Sequence, residues 1–225
     1  MLLCDFDGTI SDVDVTDLLL HNFGQSGYLK LEKDWEEGKI GSQKCMREQI
    51  ALLKASQPEV DMCLDQIAID PYFQQLTSSM KQLNVPVHIV SDGLDYAIER
   101  ILHNNHLYKL PFFANKLIYQ GEQKWQLDFP YMSTGCIKQS GNCKCAYIAS
   151  LREKYDHIFY VGDGSSDYCV SHKVDMVFAK NKLIDYCQAH AIKHHAIQDF
   201  SDIINFFEAN KKFEKDIQIN CFASV

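Results

Sequence analysis

Five short apolar runs, at 1–6, 85–90, 112–119, 157–161 and 175–179, are each too short to make a helix of their own. Longer amphipathic segments separate them. That alternation predicts an α/β domain: a mostly parallel sheet with helices packed on it. Between the first two runs lie about eighty residues with little β-signal. Segments 15–23, 43–54 and 59–67 read there as amphipathic helices, and 71–83 as the helix that returns to the sheet. A crossover between parallel strands needs only about a dozen residues. The surplus, 13–69, is therefore expected to form a helical insertion in a core made of 1–12 and 70–225. Residues 120–145, with Gly121, Pro130, Gly135 and Gly141, read as a long functional loop or a small extra hairpin.

Composition narrows the partners. Hydrophobic residues make up 46% and charged residues 23%, as in ordinary globular chains. The formal net charge of −8 argues against a nucleic acid or an anionic membrane as partner, since both attract basic surfaces. No run is apolar for long enough to span a bilayer, and no charged-then-apolar leader opens the chain. Nine scattered cysteines then read as reduced thiols in the cytoplasm, in a monomer or homodimer.

Four motifs carry chemistry, and each follows or sits near a strand end. The first is Asp5-Phe6-Asp7-Gly8-Thr9. Carboxylates at i and i+2 project from one side of an extended backbone, and Gly8 permits a sharp exit from the strand. Two like charges held together call for a cation or a proton. A phosphoryl-transfer site supplies that need: one carboxylate attacks phosphorus and the other handles the leaving group's proton. The second motif is Gly162-Asp163-Gly164-Ser165-Ser166-Asp167. Mg2+ takes hard oxygen ligands, so Asp163 is expected to complete a site begun by Asp5 and the Asp7 carbonyl. Asp167 would orient a water or hold a lysine; Ser165 or Ser166 would also serve as a helix cap. The third is Ser91-Asp92-Gly93, whose hydroxyl and backbone N–H groups, with Gly8 and Thr9, would bind a phosphoryl group. The fourth is a lysine to balance the gathered anions. Lys144, ahead of a helix at 146–154, is the choice, with Lys138 and Lys124 as alternatives.

Taken in order, these motifs resemble the haloacid dehalogenase superfamily. The helical insertion is similar to that of its C1-cap phosphatases, over most of residues 1–205. The resemblance implies a Rossmann-like core, Mg2+, a small phosphorylated metabolite and an aspartyl-phosphate intermediate. It makes Asp5 the nucleophile and Asp7 the general acid/base. Ser91 and Lys144 then hold the phosphoryl group, Asp163 binds metal and Asp167 supports the site. Phosphoserine phosphatases of this kind carry a cap glutamate and a cap arginine; here Asp14 and Arg47 take those places. An arginine fork at Arg47 would suit a substrate carboxylate. The 129–131 stretch and the cysteine-rich loop instead look like the branch of methionine-salvage diketo-methylthio-phosphopentane phosphatases. That branch is the favoured expectation, with phosphoserine phosphatase, a phosphotransferase and a non-catalytic relative as alternatives.

Cys136, Cys143 and Cys145 fall short of a zinc site. They number three, with six residues and one between them, where paired ligands usually have two to four. They read as structural thiols. His194-His195, adjacent on a strand, would face opposite ways and make no cluster.

Overall fold

A computed structural model describes residues 1–210. The charged and then apolar tail from Lys211 lies outside the described residues. The strands are β1 (Leu2–Cys4), β2 (Val87–Leu94), β3 (Phe112–Gly121), β4 (Lys124–Asp128), β5 (Phe159–Gly162), β6 (Met176–Ala179) and β7 (His194–Ala196). They form one sheet in the order β4-β3-β2-β1-β5-β6-β7. All neighbours are parallel except β3 and β4, which make an antiparallel hairpin. The α/β expectation holds, and the physical reason is visible in β1. Leu2, Leu3 and Cys4 are all fully buried, as in a strand covered on both faces.

Alternate residues divide between the two faces. Leu2, Cys4 and Phe178 pack into one core with helices α5 (Phe73–Gln82), α6 (Asp95–Asn104) and α10 (Phe200–Ala209). The Phe73 and Phe200 rings meet there at 4.9 Å. Leu3 and Tyr160 face the other side, against α7 (Lys144–Leu151) and α8 (Tyr168–Ser171). Val177 and Ala179 pack on α9 (Asn181–Ala189) on the same side.

Register is what positions the site. Cys4 stands beside Ile89 of β2 and Val161 of β5. The residues that follow each therefore leave the sheet at one rim. Strand order also reverses about β1, which makes this rim a switch point where open α/β sheets bind ligands.

Four helices stand between β1 and α5: α1 (Val15–Phe23), α2 (Tyr28–Glu36), α3 (Ser42–Ala51) and α4 (Gln57–Leu64). An antiparallel bridge, Ser11 to Ile69, joins the chain where it enters and leaves this insert. Asp14 caps α1 by accepting the Asp17 N–H at 2.9 Å. Ser56 and Glu59 make a capping box at the start of α4.

Two helices differ from the sequence reading, while the extra hairpin, one of its two alternatives for 120–145, is present. Helix α2 was not anticipated; it buries no residue, and its stripe of Tyr28, Leu31 and Trp35 is only half-buried. Residues 120–128 are the end of β3, a turn and β4, while the loop proper begins after Asp128. Helix α7 begins at Lys144 rather than at 146. The histidine pair lies on β7, where His195 faces the Phe206 ring and His194 bonds the Ile192 carbonyl.

Candidate active site

The rim is built by a tight turn. Asp5 donates its N–H to the Val161 carbonyl at 2.9 Å, the last bond of the sheet here. The N–H groups of Thr9, Ile10 and Ser11 then converge on the Phe6 carbonyl. Phe6 is fully buried and anchors the turn, while Asp5 and Asp7 project into a cleft. Gly8 has φ +67, and a Cβ there would stand 2.6 Å from an Asp163 carboxylate oxygen. A Cβ on Gly93 would stand 2.2 Å from Asp7 Oδ2. Both glycines are required by close approach between segments distant in sequence.

Lys144 joins two of the acids. Its Nζ lies 2.6 Å from Asp5 Oδ2 and 2.6 Å from Asp167 Oδ1. Burial opposes the lysine's charge, but Asp167 and Asp5 outweigh it and hold its pKa above the usual value. Asp167 also accepts from the Tyr160 hydroxyl at 2.5 Å and from the Asp163 and Gly164 N–H groups. Those donors and Lys144 overcome burial and keep Asp167 below the ordinary carboxylate range. Asp5 is pushed up, by burial first and then by Asp167, against the pull of Lys144. Asp163 is raised by burial and by Asp167.

Oxygens of Asp5, Asp163 and Asp167 lie within 4.8 Å of one another. Three carboxylates with one lysine leave excess negative charge, and a donor set of oxygens alone fits a hard divalent cation. The carboxylate of Asp7 stands apart from this trio. It accepts the Val15 N–H at 2.9 Å, at the start of α1, and lies 3.4 Å from Ser91 Oγ. Burial pushes its pKa up to about 6, opposed by Val15 and Lys144.

The expected phosphate ligands are disposed unequally. Ser91 Oγ faces Asp7 and accepts the Gly93 N–H at 2.9 Å, so that N–H is already engaged. Thr9 is a correction: it is buried, and its hydroxyl bonds Asp163 at 3.3 Å instead of opening to the cleft. Asp92 lines the cleft, while its carboxylate accepts from Asn115 Nδ2, the Asn142 N–H and Ser42 Oγ and so braces the core against α3. The alternative lysines lie elsewhere: Lys124 pairs with Glu122 on the exposed hairpin turn, and Lys138 is exposed on the loop after it.

The cleft holds about 560 Å³ between the rim and the insert. From the insert come Asp14, Asp17, Glu32, Trp35, Met46 and Gln49, and no lysine or arginine of the insert lines it. Asp14 is open to solvent, yet the cleft walls, Asp7 and Asp17 crowd it and push its pKa up. Arg47 is the second correction. It is one step round α3 from Met46, outside the cleft, with its guanidinium 4.9 Å from the centre of the Phe129 ring. Sequence reading missed Ser42, Met46 and Gln49, although their i, i+4, i+7 spacing puts them on one helix face. It also missed Tyr160 and Asn181, whose side chains bond Asp167 and Asp163. No local signal marks those two.

A model of the Putative Phosphatase family matches residues 1–208. The chain is similar to the 2-hydroxy-3-keto-5-methylthiopentenyl-1-phosphate phosphatase of Bacillus pumilus (strain SAFR-032). The two are 26% identical over 218 residues, which is 96% of this chain and 94% of that protein. It is similar also to the phosphatase of that name from Exiguobacterium sibiricum, 26% identical over 94% of this chain and 98% of the other. Among solved structures it resembles a phosphoserine phosphatase carrying a phospho-aspartyl intermediate analogue. The TM-score is 0.69 at 20% identity, covering 91% of this chain and 97% of that one. A substrate-bound phosphoserine phosphatase matches with a TM-score of 0.68 at 20% identity, over 91% and 96% of the two chains. At such identities the structural likeness shows the fold, and the family match carries the activity. The chain is thus a phosphomonoester hydrolase on the haloacid dehalogenase fold, and it belongs to the Putative Phosphatase family.

Proposed function

We propose that Asp5 is the nucleophile of a Mg2+-dependent phosphatase and that the insert, residues 13–69, is its cap. The observation that carries this reading is the buried Lys144, held between Asp5 and Asp167 at 2.6 Å from each. A lysine so placed opposes the burial that pushes Asp5 towards neutrality and aims its carboxylate, and its third N–H, 3.4 Å from Ser166 Oγ, is the most weakly held of the three. A carboxylate oxygen of Asp5 forms a bond to phosphorus as the bond to the substrate oxygen breaks. Asp7, raised towards neutrality, gives its proton to that leaving oxygen. Water then attacks the phosphorus of the aspartyl phosphate; Asp7 takes its proton, and the Asp5 carboxylate leaves. Ser91 holds a phosphoryl oxygen. Asp5, Asp163 and the Asp7 carbonyl would hold Mg2+, which when bound would neutralise charge on the phosphoryl group.

For the substrate, the absence of basic side chains from the insert's side of the cleft disfavours a carboxylate there and hence phosphoserine. Trp35 and Met46 offer apolar surface, and the carboxylates and Gln49 offer partners to hydroxyl groups. That wall suits 2-hydroxy-3-keto-5-methylthiopentenyl-1-phosphate, the substrate in the relatives' name. The same cluster of Asp12, Asp14, Asp17 and Glu32 favours a second reading, a phosphate ester ending in an ammonium group.

Phosphate release from these two substrate types and from phosphoserine, each with Mg2+, tests the assignment. The methylthiopentenyl ester is expected to give the highest kcat/KM; preference for an aminoalkyl phosphate selects the second reading. Asp5→Asn is expected to lower kcat at least about a thousandfold while keeping the fold. Turnover of that variant at the parent rate would overturn the mechanism.

A further inference from the structure

Tyr160 stands two residues before Gly162 on β5, so both face one side of the sheet. Its ring is fully buried, in the core cluster of Leu3, Ile148 and Val170. A Cβ on Gly162 would stand 2.3 Å from Asp167 Oδ2 and 2.8 Å from the Tyr160 ring. The strand thus leaves just enough room for the tyrosine to reach Asp167. Tyr160 lies behind the acids and does not line the cleft.

A carboxylate offers about four acceptor positions, and Asp167 has all of them engaged. Its Oδ1 accepts from the Tyr160 hydroxyl at 2.5 Å and from Lys144 Nζ at 2.6 Å. Its Oδ2 accepts the Asp163 and Gly164 N–H groups at 3.0 and 3.3 Å. Although it stands in the acidic trio, Asp167 is therefore a brace between Lys144 and the loop that carries Asp163. Tyr160 meets both halves of the ion pair: its hydroxyl bonds the carboxylate, and Lys144 Nζ lies over its ring, 5.8 Å from the centre.

We propose that Tyr160 is a positioning residue for phosphoryl transfer: its hydroxyl fixes the Asp167 carboxylate, which in turn holds Lys144 against the attacking oxygen of Asp5. The inference rests on the reading of Asp5 as the nucleophile. No bond to Tyr160 forms or breaks in the reaction; it acts through two other side chains. Lys144 lies equally close to both acids, so any pull towards Asp167 is taken from Asp5. Without the hydroxyl, Oδ1 loses a donor that no water can replace in a buried site, and it competes harder for Lys144. Asp5 is then less well aimed at phosphorus, while the substrate's contacts in the cleft stay as they were. The loss falls on the chemical step rather than on binding.

The test is steady-state hydrolysis of p-nitrophenyl phosphate by the full chain with Mg2+. Tyr160→Phe keeps the ring and is expected to lower kcat about tenfold, with KM within about twofold of the parent's and a native far-UV circular dichroism spectrum. Tyr147→Phe, which packs on the same core cluster with its hydroxyl on His88, should leave both constants unchanged. Orthovanadate takes the five-coordinate geometry of phosphorus in flight, and it should inhibit Tyr160→Phe about tenfold less tightly than the parent. Inorganic phosphate should inhibit the two alike. A parent kcat in Tyr160→Phe, a loss confined to KM, equal weakening of vanadate and phosphate, or a Tyr160→Phe chain that does not fold would each overturn the proposal. Turnover by Asp5→Asn at the parent rate would instead overturn the reading on which it rests.

Discussion

Lys144 and Asn142 show how much this site asks of single residues. Lys144 neutralises two buried carboxylates, and taking away one partner of such a group leaves charge with no water to solvate it. Lys144→Met is expected to destabilise the fold by about 3–5 kcal/mol in urea unfolding. A loss of activity with unchanged stability would show that the acids are already neutral in the parent. Asn142 works at a distance from the chemistry. Its Nδ2 donates to the Ser91 and Phe113 carbonyls at 2.8 and 2.7 Å, locking the two strand ends together. Asn142→Ala orphans both carbonyls and is expected to cost about 1–3 kcal/mol. It should also raise KM through Ser91, a shift that a merely structural residue would not produce. The placement of Asp5 and Asp7 at one rim, on either side of the buried Phe6, is legible in the chain, because their i, i+2 spacing points both the same way. The lysine that Asp167 was expected to hold proves to be Lys144, but the 2.6 Å contact across 23 residues and a strand is made only by the fold.

At the scale of elements, the insert is fastened by α4 to α6. Arg100 pairs with Asp65 at 2.7 Å and with Asp61 at 3.1 Å, and Tyr96 bonds Asp61. A second fastening runs from the hairpin: the Trp125 indole donates to the Ala55 carbonyl at 2.8 Å. Arg100, followed by Asn104, holds Asp65 down at about 2, below its usual range. A carboxyl depressed in the folded state stabilises the fold above its unfolded pKa, about 3.9, and loses that contribution as pH falls through the folded value. The parent should therefore unfold more readily between about pH 4 and pH 2, and Arg100→Ala should lack that step. Parallel urea titrations across this range check it; identical pH profiles would show that the pair contributes nothing. Helices α1, α3 and α4 are legible from periodicity because each turns apolar residues inward. Helix α2 is not, since its role is to wall the cleft with Glu32 and Trp35 rather than to fill a core.

For the molecule as a whole, the cleft between rim and insert sets what reacts. A volume of about 560 Å³ suits a small ester, so phosphopeptides and folded phosphoproteins are expected to release no phosphate under conditions where metabolite esters do. Chelation should stop turnover while far-UV circular dichroism stays native, since the core packs without the acidic cluster. Unfolding on chelation would instead mark a metal that holds the fold together. The architecture was written locally: runs such as 1–6 and 157–161 are too apolar and too short for anything but buried strands. The acids were written locally too, because residues just beyond a strand end have nowhere to go but the rim. Arg47 and Thr9 went otherwise, since a side chain's direction depends on what packs beside it. Arg47 lies over the Phe129 ring outside the cleft, and Asp163 took the Thr9 hydroxyl. Strand ends are fixed by short-range chemistry, whereas partners distant in the chain meet only when the sheet closes, and that contact sets the charge and the substrate wall.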